Sequence, residues 1–121
     1  MTKMEKTLYE GEYKAMSIIW DNEPISAKDV SMIAAKTTGW NKNTTYTVIK
    51  KLEAKGFVKR TEPNFICTSL VSRDEVRRAE TLGLIDKMFG GSKCALFSAL
   101  INDKELTGEE IEALRAMVDK L

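Results

Sequence analysis

The stretch WNKNTTYTVIKKLEAKGFVKRTEPNFICTSL, residues 40–70, decides the fold, because it joins a capped amphipathic helix to a hairpin pattern. Asn41 is a good N-cap for a helix from Lys42 to Lys55, and Gly56 stands at the position just beyond its end. After the glycine, FVKRT and FICTSL are rich in β-branched and aromatic residues, with the turn-forming EPN between them. The pattern predicts a helix followed by a two-stranded hairpin.

The predicted helix has one apolar face and one polar face. Its buried stripe is Thr45, Val48, Ile49 and Leu52, at helical spacing. At about 100° per residue, the opposite face carries Asn43, Tyr46, Thr47 and Lys50, with Lys51 at its flank. A helix with this buried stripe must present that polar face to a partner or to solvent.

Positive charge is concentrated in the same region. Between Lys36 and Arg60 there are seven Lys or Arg residues and one Glu, whereas the formal charge of the whole chain is +1. Residues 1–70 hold eleven basic and eight acidic residues, and residues 71–121 hold eight and ten. A positive patch on a nearly neutral chain indicates a polyanionic partner.

Two further helices are predicted before this stretch. The first spans about residues 10–20, and the second runs from Ala27 to about Thr37 with Ser26 as its cap. Pro24 separates them, and Ile25 could form a very short strand. Three helices followed by a hairpin is the order of a winged helix, a helix-turn-helix variant whose second motif helix enters the major groove of DNA.

The residue types on the third helix and the hairpin suit binding to double-stranded DNA. Asn and Thr side chains can hydrogen-bond base edges, and Lys and Arg can neutralise phosphates. The predicted DNA-binding residues are Asn43, Thr44, Tyr46, Thr47, Lys50, Lys51, Lys59 and Arg60. The alternative is a winged helix that binds an acidic protein and does not read DNA. Specific duplex binding with a steep salt slope would support the DNA-binding interpretation over this alternative.

The second half of the chain predicts three more amphipathic helices, with N-terminal caps at Ser72, Ser92 and Thr107. Their apolar stripes cannot bury one another efficiently at this length, and a helix-turn-helix protein usually needs a dimer to reach two half-sites. We therefore predict a winged-helix DNA-binding domain over 1–70 and a helical dimerisation domain over 71–121. The alternative is that these helices fold back onto the same subunit. The predicted dimerisation residues are Leu82, Ile85, Phe97, Leu100, Ile111, Leu114, Val118 and Leu121.

Composition argues against catalysis, metal binding and membrane insertion. The chain has no histidine, its two cysteines, Cys67 and Cys94, form no CxC or CxxC pair, and no glycine-rich phosphate loop occurs. Both cysteines are predicted to be buried thiols, and no cofactor or metal is expected. Without a signal-like segment or a run of roughly 20 apolar residues, the expected location is cytoplasmic.

Four segments of the chain resemble one known family. They are EYKAMSIIW at 12–20, Trp40 with NTTYTVIKKLEAKGFV at 43–58, SLVSRDE at 69–75, and LTGEEIEALRAMV at 106–118. Together they resemble the penicillinase-repressor (BlaI/MecI/CopY-type) family of bacterial winged-helix transcriptional repressors. The family typically has W-S-P-K-T where this chain has Trp40 to Thr44.

The resemblance implies a cytoplasmic homodimer that binds a palindromic operator and represses its own operon and neighbouring resistance genes. It implies that Thr44 and Tyr46 face bases. Family members often carry Lys or Arg at the position of Tyr46.

The family also differs in how its members release DNA. Beta-lactam-responsive members are cleaved at an Asn-Phe bond after a membrane sensor is triggered, so the resemblance adds a sensor protease as a candidate partner. The aligned pair here is Ala99-Leu100, which departs from that pattern. Copper-responsive members use paired C-x-C motifs near the C-terminus, and this chain ends RAMVDKL. The inducer therefore stays open.

Overall fold

The computed structural model describes residues 7–120 of the 121-residue chain. In chain order its elements are α1 (Glu10–Asn22), β1 (Ile25–Ser26), α2 (Ala27–Thr37), α3 (Lys42–Ala54), β2 (Val58–Thr61), β3 (Ile66–Ser69), α4 (Arg73–Phe89), α5 (Lys93–Asn102) and α6 (Gly108–Asp119). The predicted fold class, mostly helical with a small β wing, is confirmed. The helices begin and end close to the predicted positions because their boundaries are set by local capping chemistry.

The caps of α2 and α3 show this chemistry. The Ser26 hydroxyl accepts a hydrogen bond from the Asp29 N–H at 3.1 Å, and the Asn41 side chain accepts one from the Thr44 N–H at 2.8 Å. At the other end of α3, Gly56 has φ 83° and donates to the Glu53 carbonyl at 3.1 Å. This left-handed glycine ends the helix in a Schellman arrangement.

The sheet has three antiparallel strands in the order β1-β3-β2. The short strand expected at Ile25 forms, and Ile25 pairs with Cys67 on the central strand. The hairpin is joined by a turn in which Asn64 and Phe65 have φ values of 76° and 52°. The Phe65 carbonyl accepts a hydrogen bond from the Ala27 N–H at 2.9 Å, which ties the turn to the start of α2.

The chain divides into two compact units, of which the first ends at Glu80 and the second begins at Thr81. The core of the first unit is drawn from α1, α2, α3 and the sheet; its largest fully buried side chains include Met16, Ile19, Val30, Ile49, Leu52, Phe57 and Val58. Val71 and Val76 also belong to this core. The first unit therefore extends beyond residue 70, because the beginning of α4 packs against the winged helix.

The second unit buries little of its apolar surface. Within α5 and α6 no residue is buried, and the exposed fractions of Leu82, Phe97 and Val118 are 39%, 45% and 63%. Cys94 is exposed on α5, so the prediction that both cysteines are buried is wrong for Cys94 and confirmed for Cys67. The reason is that Cys67 lies on the central strand, whereas α5 has no buried face.

Residues 7–120 contain neither a membrane-spanning helix nor a cluster of metal-binding side chains. In that part of the chain, no helix has both the length and the apolar character needed to cross a membrane. The same residues contain no group of three or more His, Cys, Asp or Glu side chains placed to hold a metal ion.

Candidate nucleic-acid interface

The exposed side of α3 brings together five of the predicted DNA-binding residues. Thr45, Ile49 and Leu52 are buried in the first unit, which turns the other side of the helix outward. The exposed residues on that side are Asn43, Thr44, Thr47, Lys50 and Lys51, and we call this surface the α3 face. It combines hydrogen-bonding side chains near the helix N-terminus with two lysines further along.

The N-terminus of α3 adds to the positive character of this surface. Because the Asn41 side chain satisfies the Thr44 N–H, the first turn is held in helical geometry. The first turn, Lys42 to Thr44, carries no acidic side chain, and a helix N-terminus has a partial positive charge. Such an end favours an anionic partner such as phosphate.

Tyr46 lies at the edge of the α3 face rather than in its middle. Its ring is half-buried and meets the Phe65 ring edge-on, with centroids 5.9 Å apart and planes at 88°. The Lys42 Nζ lies 5.6 Å from the Tyr46 ring centroid. The structure therefore places the Tyr46 ring against the hairpin turn, where it joins α3 to the wing.

Two neighbouring basic residues on the wing have different surroundings. Lys59 is exposed on β2. The Arg60 guanidinium carbon lies 3.5 Å from the Phe65 ring centroid, and its Nη1 lies 3.5 Å from a Glu62 carboxylate oxygen. Its Nε is 3.7 Å from the Glu53 Oε1, an ion-pair distance, and makes no hydrogen bond to any residue in the described range. The Arg60 side chain is thus held by a cation–π contact and two ion pairs within the protein.

Lys55, at the end of α3, is also engaged inside the first unit. Its Nζ donates to the Glu12 carboxylate at 2.8 Å and lies 5.4 Å and 5.6 Å from the ring centroids of Tyr9 and Phe57. Burial alone would raise the pKa of Glu12, but the hydrogen bonds from Lys55 and the Tyr9 N–H, with the nearby lysine charges, hold that pKa below its usual value. The positive charge of Lys55 therefore contributes little to the electrostatics of the α3 face.

Sequence reasoning missed two residues near this surface. Lys42 is exposed in the first turn of α3, and its only sequence signal was membership of the basic run. The FICTSL pattern predicts Phe65 in a strand, but Phe65 lies in the turn before β3. No local pattern indicates that its ring would contact both Tyr46 and Arg60.

Cys67 offers no reactive thiol beside this surface. Burial raises the pKa of the Cys67 thiol to about 11, although the nearby Arg60 charge acts in the opposite direction. The thiol therefore remains protonated near neutral pH, and a protonated thiol is a poor nucleophile.

Two curated proteins are similar to this chain over almost its whole length. The methicillin resistance regulatory protein MecI of Staphylococcus aureus strain N315 is 29% identical over 97% of this chain and 99% of its own length. The penicillinase repressor of Staphylococcus aureus is 24% identical over 100% of this chain and 98% of its own length.

A solved structure shares the fold, and a family model covers most of the chain. The solution structure of the Bacillus licheniformis BlaI monomeric form, in complex with the blaP half-operator, matches with a TM-score of 0.53 and 23% identity. That match covers 62% of this chain and 93% of the BlaI chain. The sequence model of the penicillinase repressor family matches residues 9–120. The chain therefore belongs to the penicillinase repressor family.

Proposed function

We propose that this protein is a transcriptional repressor of the beta-lactam resistance type, which binds double-stranded operator DNA through the α3 face and the wing. The observation that carries the proposal is the composition of the α3 face, where Asn, Thr and Lys side chains stand together on the exposed side of a capped helix. The relatives named as resistance regulators and the half-operator bound by the BlaI relative support it.

The residues of this surface take two roles in the proposal. Asn43, Thr44 and Thr47 lie in the first turns of α3, the part of a recognition helix that reaches base edges, and Tyr46 borders them. Lys50, Lys51 and Lys59 neutralise phosphates, which positions the protein without reading sequence. Arg60 adjoins this surface on the wing and is already paired within the protein.

We further propose that the repressor is a homodimer assembled through its second unit. Leu82, Phe97 and Val118 are exposed there, and Leu100, Ile111 and Leu114 are half-buried, so a second copy could cover all six. Ile85 is only 5% exposed, which leaves it little surface to offer a partner. Leu121 lies outside the described residues. A symmetric dimer would present two α3 faces to a palindromic operator.

Release by a sensor protease at Ala99-Leu100 would require local unfolding of α5. Both residues are half-buried within the helix, and their carbonyls accept hydrogen bonds from the Asp103 N–H at 3.0 Å and the Glu105 N–H at 2.9 Å. Proteolytic cleavage of such a segment proceeds from a locally opened state.

The salt dependence of duplex binding tests the proposed function. Lys50→Ala and Lys59→Ala should each lower the slope of log affinity against log salt by about one unit, and should weaken binding to every duplex alike. Lys14→Ala is the matched control, since Lys14 is exposed on α1 and pairs with Glu10 at 3.4 Å. Unchanged slopes in both variants would show that these lysines lie outside the interface. If the wild-type protein bound no duplex, the alternative function, binding of an acidic protein, would be favoured instead.

A further inference from the structure

Four side chains form a continuous series of cation–π and edge-to-face aromatic contacts from α3 to the wing. In order they are Lys42, Tyr46, Phe65 and Arg60, and we call them the wing stack. The Lys42 Nζ is 5.6 Å from the Tyr46 centroid, the two aromatic centroids are 5.9 Å apart, and the Arg60 guanidinium carbon is 3.5 Å from the Phe65 centroid. The stack connects the first turns of α3 with β2 through the turn of the hairpin.

The backbone at the centre of this stack is in an unfavourable conformation. Phe65 has φ 52°, a left-handed value that bulky side chains seldom adopt, and it follows Asn64 at φ 76°. Such a conformation persists only where the surroundings stabilise it. Here the Phe65 N–H donates to Glu62 at 3.2 Å, its carbonyl accepts from the Ala27 N–H at 2.9 Å, and its ring contacts the Tyr46 ring and the Arg60 guanidinium. These contacts therefore fix the position of the Phe65 ring relative to α2 and α3.

The Arg60 guanidinium is held by contacts within the protein and is not free to bind a phosphate. Its planar group lies over the Phe65 ring, and its nitrogens pair with carboxylates on two different elements. Glu53 belongs to α3, at 3.7 Å, and Glu62 belongs to the hairpin turn, at 3.5 Å. The arginine thus joins the recognition helix to the wing, whereas its neighbour Lys59 is exposed.

We propose that Arg60 is a positioning residue, which fixes the wing relative to the recognition helix through Phe65 and Tyr46, and that Lys59 supplies the phosphate contact of the wing. The inference rests on the proposed DNA-binding function. Its physical basis is preorganisation: a wing already held in place loses less conformational freedom on binding. The stack also sets the position of Tyr46 at the edge of the α3 face.

The test compares variants that separate charge from shape. Arg60→Lys keeps the positive charge but loses the planar stacking group, and Phe65→Leu removes the ring. Each should weaken duplex binding by about fivefold without changing the salt slope. The double variant should be no weaker than either single variant, because both changes break the same stack. Lys59→Gln is the control, and it should lower the salt slope by about one unit.

A measurement on the free protein accompanies the binding assay. In NMR spectra the Tyr46 ring resonances should shift in Arg60→Lys and Phe65→Leu, while the Trp20 indole resonance, on α1, stays in place. An Arg60→Lys protein with wild-type affinity and unshifted Tyr46 resonances would overturn the proposal. So would an Arg60→Gln protein whose salt slope falls as far as that of Lys59→Gln.

The two proposals fail in different ways. If the wild-type protein bound no duplex, the proposed function would be lost, but the Tyr46 resonances would still report whether the stack holds the wing. If the wild-type protein bound duplex with a steep salt slope and the stack variants bound normally, only the positioning role of Arg60 would be lost.

Discussion

At the scale of single residues, the Glu12–Lys55 pair shows how a charge from the basic run is used for stability. Glu12 is 6% exposed, and its carboxylate accepts hydrogen bonds from the Lys55 Nζ at 2.8 Å and from the Tyr9 N–H at 2.9 Å. A buried carboxylate is costly unless it is paired in this way. The pair joins α1 to the end of α3 and so helps to hold α3 in the first unit.

Glu12→Gln should lower the free energy of unfolding by about 1–3 kcal/mol at pH 7, because Lys55 loses its charged partner. The folded pKa of Glu12 lies below its ordinary value of 4.5, so the stabilisation is present above that value and is lost as the pH falls through the folded pKa. The difference between wild type and variant should therefore shrink in acid. Urea unfolding at neutral and acidic pH measures it.

The control for this experiment is Glu10→Gln. Glu10 is exposed and pairs with Lys14 at 3.4 Å, and an exposed pair of this kind contributes only about 0–1 kcal/mol. A Glu12→Gln protein as stable as the Glu10→Gln protein, or a difference that stays constant with pH, would contradict the assignment.

At the scale of elements, α3 depends on the chemistry at its two ends. Asn41 caps the beginning through the Thr44 N–H, and Gly56 with Phe57 closes the end through the carbonyls of Glu53 and Leu52. The capped first turn carries Asn43 and Thr44, so under the proposed function the order of that turn affects both stability and DNA binding.

Asn41→Ala should lower the free energy of unfolding by about 1 kcal/mol, because the Thr44 N–H loses its side-chain acceptor. The loosened first turn should also weaken operator binding. Chemical denaturation and a duplex titration measure the two effects. Asn41→Ser is the control, since serine is an equally good cap and should restore both properties. If the serine variant behaved like the alanine variant, Asn41 itself, and not its capping, would be the important feature.

At the scale of the whole molecule, the two units differ in how much of their apolar surface they bury. The first unit buries a core of its own that includes Val71 and Val76, whereas α5 and α6 bury no residue. Exposed apolar side chains in such numbers favour a further partner for the second unit. The proposed homodimer supplies it.

Val118→Asp should dissociate the proposed dimer, because it would bury an unpaired carboxylate in the interface. Val118 is 63% exposed in the single chain, so the variant should still fold. Sedimentation should give a monomer, and operator affinity should fall because each molecule engages only one half-site.

Ala116→Asp is the matched control for this variant. Ala116 is exposed on the same helix, but at about 100° per residue it faces away from the stripe of Ile111, Leu114 and Val118. A Val118→Asp protein that stays dimeric and binds its operator normally would place the interface elsewhere.

The sequence by itself determined the features that depend on near neighbours in the chain. Cap residues such as Ser26, Asn41 and Thr107, together with helical spacing of apolar residues, predicted where the helices begin and end. The β-branched segments after Gly56 predicted the wing. These signals act over three or four residues, so they can be read without knowing the fold.

Only the tertiary structure decided which basic residues remain available. Lys50 and Lys55 look alike in the sequence, but folding brings Glu12 to Lys55 and leaves Lys50 exposed. Arg60 is likewise engaged because Glu53 and Phe65 meet it in space. An ion pair or a stack depends on what distant elements bring within about 4 Å, and residue spacing does not encode that distance. The basic run predicted a positively charged surface, and the packing of the fold determined which of its Lys and Arg side chains are exposed there.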